Sequence, residues 1–170
     1  MGKELLIVTS LAIFLSSGCK DGGQPVTSEP ITVSDAQLFA MQQAPVGWMF
    51  FGNTPDTLTG GSTTAHEPRI RVRYNARAAT QLNGSGRVIA GAVFPDSSLI
   101  VKDLYTGSVR TTVAYMFKLS GASNAASGGW VWAETNDAGT PKISASQRGA
   151  GCVGCHMAGI DFTRMNDAHP

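Results

Sequence analysis

The sequence predicts an α+β domain: a mainly antiparallel β-sheet with flanking helices. Three observations carry this. "RIRVRY" (Arg69 to Tyr74) alternates strictly, with Ile70, Val72 and Tyr74 on one side and Arg69, Arg71 and Arg73 on the other. That is the pattern of a strand with one buried and one solvated face. "SVRTTVAYMFKL" (Ser108 to Leu119) alternates over a longer run and gathers Val109, Thr111, Val113, Tyr115, Phe117 and Leu119. Gly/Ser-rich stretches separate the apolar runs, and Gly 20 in 170 residues suits short turns between antiparallel strands better than a helical bundle.

The elements follow in order. "SDAQLFAMQQ" starts a helix with Ser34 as N-cap and Gln37 at the capping-box position, and Leu38 and Met41 share a face. Pro45 ends that helix, and "WMFFG" reads as a short strand. After "RIRVRY", "ARAATQL" is a short helix closed by "NGSG". "SLIVKDLY" is a strand with Leu99, Val101 and Asp103 on one face and Ser98, Ile100, Lys102 and Leu104 on the other. "GWVWAE" is a further strand, and the stretch from about Ser144 through residue 156 reads as helical before an irregular tail.

The N-terminus carries an address. Lys3, the apolar run Leu5 to Leu15 and the small residues of "SSGC" have the layout of a secretory signal, too short to stay as a membrane span. "SSGC" is similar to a bacterial lipoprotein processing site, with Ser16 where such sites usually carry leucine. The reading is a signal peptide over 1–18, a lipidated Cys19, a flexible Gly/Pro/Ser/Thr tether over 19–33 and a folded domain over 34–170. The domain is then exported to the periplasmic side and lipid-anchored to a bacterial membrane. Lys+Arg 13 against Asp+Glu 12, a net charge of +1 and no basic run exclude a nucleic-acid partner.

With Cys19 set aside, the cysteines are one pair, Cys152 and Cys155, followed at once by His156. An exported thiol pair becomes a disulfide, a metal site or a covalent attachment point. C-x-x-C-H is the haem c signature, in which both thiols form thioethers to the porphyrin and the histidine ligates the iron. A structural zinc site needs four ligands, and the other histidines are His66 and His169. A thioredoxin-like redox pair wants a βαβ setting, which is absent. Zinc and a bare disulfide stand as the alternatives. Met157 is too close in sequence to reach across a haem, and no distal Met or His is evident. The sixth iron position is therefore expected to be open.

A mostly β domain with C-terminal haem c resembles the cytochrome P-460 family and its relatives, the cytochromes c′-beta. The resemblance rests on "WMFFG", "FPDSSLIVKDL", "GWVW" and "CVGCHMAGIDFTRM", in that order. It implies a sheet with flanking helices, a homodimer and one five-coordinate haem c per chain. It also implies a lysine beside the porphyrin edge, at Lys102, that some members join covalently to the haem. Arg164 of "FTR" is placed to meet a haem propionate, and Phe94, Phe117 and Phe162 to line the pocket. A distal carboxylate is expected shortly before the haem motif, yet no Asp or Glu lies between Ala138 and Cys155, where Gln147 and Arg148 stand. Glu134 is the substitute, on a strand face the pattern leaves open. Three functions follow. One is oxidation of hydroxylamine, with electrons passed to another cytochrome. The others are nitric oxide or gas binding without turnover, and electron transfer.

Overall fold

The computed structural model describes residues 29–44, 47–59, 66 and 68–168. The expected signal segment, Cys19 and His169 lie outside the described residues. The fold is α+β, with a mainly antiparallel seven-stranded sheet and a few short helices.

The strands are β1 (Met49–Phe50), β2 (Leu58–Thr59), β3 (Arg69–Tyr74), β4 (Leu99–Thr106), β5 (Val109–Lys118), β6 (Trp130–Thr135) and β7 (Pro141–Ile143). They run in the order β1-β3-β4-β5-β6-β7, with β2 also pairing with β3. The helices are α1 (Asp35–Gln43), α2 (Ala76–Ala79), α3 (Val153–His156) and α4 (Met165–Ala168). The capping box at α1 forms as expected: Ser34 accepts from the Gln37 backbone while Gln37 accepts from the Ser34 backbone. "WMFFG" is strand for two residues only, before a 3-10 turn at Phe51–Asn53. The stretch after Ser144 is not one helix. A 3-10 turn at Ala145–Gln147 stops at Arg148, whose φ is 53°, and α3 is a separate turn.

The sheet buries both faces. Its back carries Leu99, Val101, Val113, Tyr115, Phe117, Val131 and Ala133, packed against Leu38 of α1. Its front carries Ile70, Val72, Tyr74, Ile100, Leu104, Met116, Trp130 and Trp132, packed against the C-terminal segment. Two expectations about the back are corrected. The arginine side of β3 is not a solvated face: Arg73 is buried and Arg71 half-buried. Asp103, on the neighbouring strand, draws them in. Its fully buried carboxylate lies 3.0 Å from Arg71, 3.3 Å from Arg73 and 3.0 Å from Arg110. The second correction concerns β5. Leu104 pairs with Thr112 but Tyr105 with Arg110, so Thr111 is an extra residue in a β-bulge. The bulge resets the alternation, and Arg110, rather than Val109 or Thr111, reaches Asp103.

Arg73 also ties α1 to the sheet. It donates to the Gln42 carbonyl at 2.9 Å and to Gln42 Oε1 at 2.6 Å, and stacks over the Trp48 ring at 4.4 Å. A cation at the last turn of a helix satisfies carbonyls that have no partner within the helix. Removing Asp103 leaves the buried Arg73 charge without its counterion. Asp103→Ala is therefore expected to lower stability by about 3–5 kcal/mol, read as a reduced urea midpoint at an unchanged slope.

Candidate functional site

The motif sits on one turn of helix. Cys152 is the N-cap of α3, and Cys155 and His156 are three and four residues on, so all three side chains fall to one side of the turn. The two cysteines are free thiols, Cys152 half-buried against the front core and Cys155 exposed. Burial raises the Cys152 thiol pKa first, with the charge of Glu134 adding to it.

Gly149 starts the turn. Its carbonyl accepts from the amides of Cys152 at 2.9 Å and Val153 at 3.1 Å. Its φ is +73°, and a Cβ there would lie 2.7 Å from Trp132 and 2.8 Å from Val153. Only glycine suits both that conformation and that closeness.

The tail then folds back and orients the histidine. His156 Nδ1 is 2.8 Å from the Phe162 carbonyl. A carbonyl only accepts, so Nδ1 carries the proton and Nε2 keeps its lone pair for a metal ion. Asp161 and Phe162 both have left-handed backbone, with φ of 42° and 67°. Asp161 holds them there. Its carboxylate accepts from the Phe94 amide at 2.8 Å and pairs with the buried Lys118 amine at 2.9 and 3.0 Å. Its carbonyl accepts from Trp130 Nε1 at 3.0 Å. Sequence reading missed Asp161; the left-handed "DF" pair has no pattern that marks it. Arg164 is exposed and donates to the Cys155 carbonyl at 3.1 Å, closing the tail over the end of α3.

The sheet supplies the opposing wall. Across the strands, Val72 pairs with Lys102, Lys102 with Ala114 and Ala114 with Glu134. Directly opposed residues share a face, so Lys102 and Glu134 both point to the front, with only the methyl of Ala114 between them. The next row holds Tyr74, Ile100, Met116 and Trp132. The Trp132 ring lies 4.9 Å from that of His156, edge to face. The pairing settles the orientation of Glu134, which the strand pattern left open, and agrees with the face the pattern gave Lys102. Phe94 and Phe162 belong to the front cluster, but Phe117 belongs to the back, on the other phase of β5. Met165 is buried in the front core and Met157 is exposed.

Burial sets the electrostatics. It lowers the Lys102 amine to about 8, against a smaller upward pull from Glu134. It raises the Glu134 carboxyl, against the charges of Lys142 and Lys102. It lowers His156, with the nearby charges of Lys102 and Arg164 adding and the bond to Phe162 opposing. His66, just before β3, comes to the same place. Its ring centre is 6.3 Å from that of His156, and its pKa falls to about 4 through burial, then Lys102, then His156. Among the described residues, four buried side-chain polar atoms have no hydrogen-bond partner: His66 Nδ1, Tyr74 Oη, Ser98 Oγ and Trp132 Nε1. Such groups are rarely left without one. Among the described residues, no three His, Cys, Asp or Glu side chains gather as metal ligands.

An amine that ionises near 8 in the fold and near 10.5 when unfolded leaves the folded chain with fewer bound protons between those values. Stability from this group therefore rises with pH across that window and is lost as pH falls through it. Lys102→Met should flatten the rise between pH 8 and 10, measured by urea denaturation. Glu134→Gln should push the amine further down, measured by NMR titration of labelled lysine. Comparison with protein-family models and with curated proteins finds no match for this chain, so the reading of the site rests on its own residues.

Proposed function

We propose that the chain is a periplasmic haem c protein, similar to the cytochromes P-460 and c′-beta, that oxidises a small nitrogen compound such as hydroxylamine and passes the electrons to another cytochrome. One observation carries the reading: Lys102 and Glu134 share the desolvated sheet face that meets His156 of the C-x-x-C-H turn. The residues fit haem c. Both thiols are free on one turn, His156 presents an unprotonated Nε2, and polar atoms without partners surround an apolar face.

Cys152 and Cys155 would hold the porphyrin, His156 its iron, and Arg164 a propionate. Bound haem supplies one-electron chemistry at the iron. The protein contributes orientation and proton handling. The Phe162 carbonyl fixes the His156 tautomer, and Asp161 fixes Phe162. Oxidising an N–H or O–H compound releases protons. Burial raises the Glu134 carboxyl, which makes it the better proton acceptor, and lowers the Lys102 amine to about 8, so that part of it is neutral and able to accept a proton as well. Glu134 thus takes the part of the carboxylate missing before the haem motif.

Three outcomes check this. After expression with haem c maturation machinery, denaturation and acid-solvent extraction, the haem colour should stay with the chain; colour that leaves with the solvent refutes attachment at Cys152 and Cys155. Lys102→Ala should keep the haem, change the absorption spectrum and lower hydroxylamine oxidation about a hundredfold, the low end of a general-base contribution. Unchanged turnover with a normal Soret band would favour the gas-binding reading. Cys19→Ser should release a membrane-bound protein into the soluble periplasmic fraction, because the acyl chains are the proposed anchor.

A further inference from the structure

We infer that His66 is the second axial ligand of the iron in the resting protein, so that a small molecule reaches the metal only by displacing it. The inference rests on the haem c reading above and departs from the open sixth position expected from sequence. Its basis is the placement of two imidazoles. His66 lies between β2 and β3, far from the motif in sequence, yet its ring centre is 6.3 Å from that of His156 with the planes at 87°. A metal–imidazole bond is about 2.0 Å, and the ring centre lies about 1.1–1.2 Å behind the bonding nitrogen. Two imidazoles facing each other across one metal ion therefore have centres a little over 6 Å apart, which is the separation found.

The surroundings agree. His66 Nδ1 is buried and has no hydrogen-bond partner within the protein. The Phe162 carbonyl commits His156 Nδ1 and leaves Nε2 for the metal. Met157 is exposed. The competing ligand on the same face is the Lys102 amine, which burial helps to keep neutral.

The perpendicular planes give a specific signature. The haem-loaded ferric protein should be low-spin, with the single large-g EPR feature of crossed imidazole planes. His66→Leu should convert it to high-spin, and added imidazole should restore the low-spin bands. Lys102→Ala should leave the low-spin state in place. In the reduced protein, carbon monoxide binding should reach a rate that no longer grows with ligand concentration in wild type, and should grow in proportion to it in His66→Leu. Covalently retained haem that is high-spin in wild type overturns the assignment and leaves the haem reading intact. Low-spin iron lost in Lys102→Ala and kept in His66→Leu overturns it in favour of the lysine. Absence of covalent haem overturns the reading beneath both.

Discussion

The site depends on the carboxylate of Asp161. A non-glycine residue with positive φ is uncommon, and two in succession need outside support. Asp161 receives it from a buried lysine, a backbone amide and an indole N–H, drawn from β5, the segment before β4 and β6. Those contacts turn the chain so that the next carbonyl, that of Phe162, faces His156 Nδ1. The orientation of His156 is thus set by an ion pair on the sheet, not by its own helix, which is a single turn and too short to be stable alone.

The two faces of the sheet treat charge differently. On the back, Asp103 is fully buried, and three arginines around it give its carboxylate cationic partners, with Asp137 pairing Arg110 as well. Arg73 extends that cluster to the end of α1 and so joins helix to sheet. On the front, Lys102 and Glu134 are separated by a strand and held in less water without a direct bond between them. Desolvation then moves both toward neutrality. A buried charge with direct partners is held by them; a desolvated one without a direct bond has its pKa displaced by burial.

Sequence by itself determined the α+β class, the position of the main strands along the chain and the capped first helix. Each is written in local terms: side-chain period and cap residues. It also separated the two faces of β4, because Ile100 and Leu104 bracket Lys102 on one side. Tertiary structure decided the rest. The arginines of β3 alternate like a solvated face, and only the register with β4 shows that they surround Asp103. The bulge at Thr111 broke an alternation that looked continuous. Glu134 acquired a face only through pairing with Ala114. His66 has no local pattern at all, and only the three-dimensional structure shows its ring 6.3 Å from that of His156. Local periodicity specifies which face a residue takes within its strand; register and chain path specify what that face meets.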